Sequence, residues 1–126
     1  MSDRMYKVQI TSHCEDVLRE TAYSIAVDLA APDAAIAWAM KMRGHIFNLA
    51  YFPSRVQLTP EEPWRSFGIR RLPVGKYYIY FLILEDLKEV RVTDVVFQGM
   101  DQAKRLAGWP VQEFLPDSNL PLQEGN

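Results

Sequence analysis

The sequence predicts an α+β domain in which an N-terminal strand and an α-helical hairpin pack on a mainly antiparallel β-sheet, followed by a short C-terminal helix. Three observations carry this expectation. Residues 6–11 alternate large apolar with polar side chains. Two stretches between residues 12 and 50 repeat apolar residues at helical spacing. Residues 77–84 are apolar or aromatic at every position, as in a strand covered on both faces.

Tyr6 to Thr11 form the first predicted strand, because a period of two puts one set of side chains on a buried face. Ser12 and Glu15 have the spacing of a capping box and place a helix start there. Leu18, Ala22, Ile25 and Leu29 trace one stripe, and the helix is expected to stop before Ala31-Pro32. Pro32 suits the first turn of a second helix, with Asp33 against the positive end of its dipole. That helix, with Ala35, Ala39, Met42, Ile46 and Leu49 as its stripe, is expected to reach about Ala50. The short link folds the two helices into an antiparallel pair.

Phe52 to Pro63 hold three prolines and no sustained period, the pattern of an irregular connection. A hairpin follows, with strands at Arg65–Leu72 and Tyr77–Leu84 around a turn at Pro73-Val74-Gly75-Lys76. The second of these is expected to be central, with Tyr78 and Tyr80 sharing a face beneath the helical hairpin. Val90–Phe97 complete the meander, and Asp101 caps a short helix to about Leu106. Residues 1–109 are thus expected to form the domain and residues 110–126, proline-rich and without regular spacing, an extended or disordered tail.

The 126 residues are 48% apolar and 24% charged, the usage of a single ordinary globular domain. Cys14 is the only cysteine, which rules out an internal disulfide and a Cys-rich zinc site. No apolar run approaches the roughly 20 residues of a spanning helix, and MSDRMYKVQ lacks the order of a secretion signal. A cytoplasmic protein with no membrane partner is expected. Net charge is −2, yet residues 41–76 carry 7 basic and 2 acidic side chains. That block is either a solvated face or a surface for an anionic partner.

Spacings for a Ser-His-Asp set, a phosphate loop, a zincin helix or a calcium loop are absent. His13, at a helix start, and His45, within a helix, read as structural or surface groups, and Cys14 lacks a partner motif for a reactive thiol. Trp38 lies off the stripe of its helix and is a candidate partner contact, whereas Trp64 and Trp109 read as core.

The informative stretch is Gly68-Ile69-Arg70-Arg71-Leu72-Pro73-Val74-Gly75-Lys76-Tyr77-Tyr78-Ile79-Tyr80-Phe81, with Val95-Val96-Phe97-Gln98-Gly99 after it. Together with the opening strand, Pro32-Asp33-Ala34-Ala35 and the Leu49–Pro53 exit, it resembles the RelE/ParE superfamily of bacterial type II toxin–antitoxin toxins, which includes plasmid-stabilisation proteins. The resemblance runs from about Tyr6 to Leu106. It implies a growth-inhibiting toxin neutralised by a cognate antitoxin protein, with no cofactor and no metal. The ParE-like branch implies inhibition of DNA gyrase; the RelE-like branch implies ribosome-dependent mRNA cleavage.

The nuclease pattern ends its last strand on Tyr or His, a small residue and Arg, where this chain has Gln98, Gly99 and Met100. Neither Gln nor Met moves a proton at neutral pH. The ParE-like reading is therefore favoured over an endoribonuclease, with a non-toxic binding module of the same fold as the other alternative. Arg70, Arg71, Lys76, Tyr77 and Gln98 are the candidate site residues. Arg70 and Arg71 fall on opposite faces of their strand, and Tyr77 is the aromatic placed nearest the turn. The tail from Pro110 lies beyond the resemblance and is a candidate cover for the docking surface; cutting after Leu106 is then expected to raise toxicity.

Overall fold

The computed structural model describes residues 5–114. It contains β1 (Lys7–Ile10), α1 (Ser12–Val27), α2 (Pro32–Phe47), β2 (Arg70–Val74), β3 (Tyr77–Leu84), β4 (Glu89–Phe97) and α3 (Gln102–Ala107). The four strands form one sheet in the order β1-β4-β3-β2, antiparallel except for the parallel pair β1–β4. The α+β architecture expected from the sequence is the one observed.

The helix starts where an N-cap is satisfied, and that cap is Thr11, one residue before the expected Ser12. Thr11 Oγ1 accepts from Cys14 N at 3.1 Å. The Ser12–Glu15 capping box does not form because both side chains are engaged elsewhere. Ser12 Oγ donates to Glu113 Oε1 at 2.9 Å, and Glu15 pairs with Arg43 of α2 at 2.7 Å. α1 ends at Val27, so Leu29 leaves the stripe and is exposed. α2 is regular only to Phe47 and tightens into a 3₁₀ turn over Asn48–Ala50.

The expected strand at Arg65 begins instead at Arg70. Phe67 N donates to Pro63 O and Gly68 N to Arg65 O, so residues 64–68 close into turns that end at Gly68, whose φ is +93°. Pro73 is part of β2 rather than of the turn, which is tolerable because β2 is an edge strand and Pro lacks a ladder donor. The turn itself is Gly75-Lys76, with Gly75 at φ +58°.

Two cores lie on the two faces of the sheet. Cys14, Leu18, Met42 and Ile46 of the helical hairpin cover Ile79, Phe81, Val90 and Val92. On the other face, Tyr80, Leu82 and Val96 are covered by Trp64, Leu106, Trp109, Val111 and Phe114. Tyr78 and Tyr80 therefore lie away from the helical hairpin, correcting the sequence expectation: the alternation of β3 gives its odd-numbered residues to the helices. In β4, Tyr80 faces Asp94 while Phe81 faces Val92, so Thr93 is bulged and the alternation of the strand shifts. The shift puts Val92 and Val95 on the helix side and Val96 on the other.

The segment expected to leave the domain at Pro110 also differs over its described part. Val111–Glu113 form a 3₁₀ turn, and Phe114 is completely buried. These residues remain because the short α3 covers the face bearing Tyr80 and Leu82 with Leu106 alone, and Val111 and Phe114 complete that cover. Residues 115–126 of that expected tail lie outside the described residues.

Candidate functional site

On this second face, at the β2 edge, opens a cleft of about 660 Å³ whose walls include Arg55, Gln57, Arg71, Tyr78 and Gln98. The edge is set by pairing of residues 57–59 along β2: Arg71 N donates to Gln57 O at 3.0 Å and Thr59 N to Ile69 O at 2.9 Å. Beyond Arg71 the pairing stops and Pro73 offers no N–H, so the edge stays open there.

Arg71 is the central side chain. Its guanidinium stands 4.1 Å over the Tyr78 ring, and Nη1 lies 3.5 Å from Glu61 Oε2. Glu61 in turn accepts a hydrogen bond from buried Thr59 Oγ1. Stacking and the carboxylate fix the plane of the guanidinium, presenting an oriented cation rather than a free one. Arg55 is held by Nη1 donation to Tyr51 O and Phe52 O at 2.7 and 3.0 Å. Gln98 Nε2 donates to Gly75 O and Tyr77 O at 3.1 and 2.9 Å, so its amide ties the strand end to the turn. Burial pushes the neighbouring Tyr80 phenol up to about 12, against the lowering effect of Arg71. It donates to Gln102 Oε1 at 2.7 Å and stays neutral.

The sequence candidates are thus dispersed. Arg71 and Gln98 line the cleft. Arg70 points elsewhere and anchors the preceding loop, its Nη1 donating to Val56 O at 2.6 Å. Lys76 is exposed at the turn. Tyr77 faces the helices, with Trp38 at 5.3 Å and Phe97 at 5.8 Å between ring centroids, both edge-on. Tyr78, read as core from the sequence, is the aromatic of the cleft. Arg55, Gln57 and Glu61 were not legible, since they lie in a loop without period and reach the site only through pairing with β2; the basic block between residues 41 and 76 was the one available signal.

A second cleft, of about 420 Å³, separates α1 from the end of β4 and is bordered by His13, Asp16, Glu20, Met100 and Arg105. Beneath it Asp94, fully buried, accepts from Arg105 Nε and Nη2 at 2.8 and 2.9 Å, from Trp109 Nε1 at 2.8 Å and from Val95 N at 2.9 Å. The carboxylate raises the pKa of Arg105 through that hydrogen bond. His13 Nε2 stands 3.4 Å away, but the lone pairs of Asp94 are already taken. This hub is saturated and structural.

Cys14 is completely buried, and its thiol pKa is pushed up first by burial and then by Asp94 and Glu15. Native protein is expected to resist a thiol-specific disulfide reagent at pH 8, reacting only after denaturant is added; prompt native reaction would show the thiol to be accessible. Among the described residues no group of three or more His, Cys, Asp or Glu side chains is placed to hold a metal, and no helix is long and apolar enough to cross a membrane.

Solved structures share this arrangement. The first comes from the chromosomal ParDE toxin–antitoxin system of P. aeruginosa, at TM-score 0.62 and 17% identity over 75% of this chain and 98% of the other. The fold is that of the RelE/ParE toxins. The RelBE2 toxin–antitoxin complex of Mycobacterium tuberculosis matches at TM-score 0.55 and 18% identity, over 78% of this chain and 97% of its own. A mutant of E. coli toxin RelE in the free state matches at 0.56 and 10%, over 88% and 99%. No family model and no curated protein sequence matches the chain. The likeness to these toxins is one of backbone geometry, at identities of 10 to 18%.

Proposed function

We propose that this chain is the toxin of a toxin–antitoxin pair, held inactive by a cognate antitoxin in the cytoplasm, and that it acts in the ParE manner on DNA gyrase without cutting RNA. The observation carrying the non-nucleolytic half is the chemistry of the Arg71 cleft. Gln98 stands at the strand end where a nuclease would place a proton donor, and its amide is committed to two backbone carbonyls. Arg55, Arg71, Tyr78 and Gln98 line the cleft, and its lining holds no His, Asp or Glu, the side chains that most often act as general acid or base. An oriented guanidinium on an aromatic ring, beside apolar Leu58 and Leu72, suits docking of an anionic protein surface.

The test is induced expression of the chain alone, with growth and message integrity followed together, and a supercoiling assay on purified gyrase. Arrest with intact messages and inhibited supercoiling is the expected result. Arg71→Ala is expected to weaken inhibition about tenfold or more, the loss of one charge-assisted contact. Arg70 is a poor partner for that variant, because its removal frees the Val56 carbonyl. Arrest with cleaved messages would instead assign a ribosome-dependent mRNA interferase, and unimpaired growth a binding module of the same fold.

A further inference from the structure

Residues 41–76 carry 7 basic and 2 acidic side chains, yet most of that block is spent inside the fold. Arg43 is paired with Glu15 across the helical hairpin. Arg70 donates to the carbonyls of Ser54 and Val56, and Arg55 to those of Tyr51 and Phe52. Lys41, Arg65 and Lys76 are exposed but stand outside the lining of the Arg71 cleft. Of the two acidic side chains, Glu62 accepts from the Ser66 amide, whereas Glu61 is placed against the central cation of the cleft.

That placement is fixed by backbone and side chain together. Thr59, completely buried, donates its hydroxyl to the Glu61 carboxylate, and its own amide is held on Ile69 O at 2.9 Å. The Glu61 carbonyl accepts from Arg65 N at 2.8 Å. Glu61 Oε2 then stands 3.5 Å from Arg71 Nη1, which is long for a hydrogen bond. The carboxylate thus offsets the charge of the guanidinium without using up its five N–H donors. Arg71 is 22% and Glu61 19% exposed, so salt screens this pair less than it would a surface pair.

We propose that Glu61 sets what the Arg71 cleft accepts: a single carboxylate of a protein partner, and not the phosphate chain of a nucleic acid. The proposal rests on the reading of this cleft as a docking site on gyrase. An Arg stacked on Tyr78 and flanked by one carboxylate keeps a fixed plane with part of its N–H fork free, which suits one further carboxylate side-on. A side chain of a folded partner brings one negative charge there, with apolar neighbours free to lie on Leu58 and Leu72. A nucleic-acid strand brings a continuous row of charges, so a phosphate on Arg71 carries further negative charge toward Glu61, where like charges repel. Loss of the Glu61 charge is thus expected to move the two kinds of ligand in opposite directions.

Glu61→Gln in the full chain tests this against two ligands, purified DNA-free gyrase and a labelled single-stranded RNA of about 12 nucleotides. Both titrations are run well below the thermal midpoint, with near-ultraviolet circular dichroism showing the variant to be folded. RNA is expected to bind about tenfold more tightly than to the unaltered chain, with a salt dependence steeper by about one phosphate contact. Gyrase is expected to bind about fivefold more weakly, because Arg71 loses the carboxylate that fixes its plane. Adding Arg71→Ala to Glu61→Gln is expected to abolish the gain in RNA binding, which places that gain at this guanidinium. If RNA binding does not rise, if the rise survives Arg71→Ala, or if gyrase binding holds or strengthens, the role given to Glu61 is overturned while the gyrase reading stands. Failure of the unaltered chain to bind gyrase overturns that reading and the proposal with it.

Discussion

Replacing Asp94 by Ala is expected to lower the thermal midpoint by about 10 to 25 °C, corresponding to roughly 3–5 kcal/mol for a domain of this size. The carboxylate is fully buried and is the common acceptor for Arg105, Trp109 and the Val95 amide. Its removal leaves a partly buried guanidinium and a buried indole N–H without partners, and an orphaned donor loses its full hydration. The loss also spreads across elements, because β4, α3 and the segment after it meet at this one side chain. Asp94→Leu combined with Arg105→Leu is expected to recover much of the stability, since both charged partners then disappear together. Urea unfolding of the two single variants and the double variant closes the cycle. A cost below about 1 kcal/mol for Asp94→Ala would mean that the hub contributes little beyond orientation.

Asp94 also marks where sequence reading stops. Both helices and the central β3 follow from period, proline and capping signals, which act over a few residues. The Ser12–Glu15 spacing had a valid local signature, but Glu113 and Arg43, far off in sequence, claimed those two side chains. The face borne by Tyr78 and Tyr80 was misassigned for a related reason: alternation says that they share a side, and only the packing of the rest of the chain says which side. With Tyr78 turned from the helices, it rather than Tyr77 meets Arg71. Glu61 and Arg55 enter the cleft through loop pairing that no local pattern encodes. The bulge at Thr93, which aims Asp94 under the second core, left no trace in a run of β-branched residues.

The same second core decides what happens when the chain is shortened. Phe114→Ala is expected to cost about 3–5 kcal/mol, the loss for a large aromatic removed from a closed core. Phe114 is completely buried and edge-on to Trp109 at 5.1 Å, and Trp109 meets Trp64 at 5.1 Å and Tyr80 at 5.5 Å. Its backbone carbonyl accepts from Arg91 Nη1 at 2.8 Å, and its neighbour Glu113 accepts from Ser12 Oγ and His13 N at the start of α1. The segment thus closes one sheet face and ties it to the helical layer. A chain ended after Leu106 would expose Tyr80, Leu82, Val96 and Trp64 together and deprive Asp94 of the Trp109 donor. Such a chain is expected to bind a hydrophobic dye, to lose its near-ultraviolet circular dichroism and to be non-toxic through misfolding, the reverse of relief from a removable cover. A truncated chain that unfolds cooperatively at the full-length midpoint and arrests growth more strongly would instead make the segment after Leu106 an inhibitory cover, with the aromatic cluster dispensable to the fold.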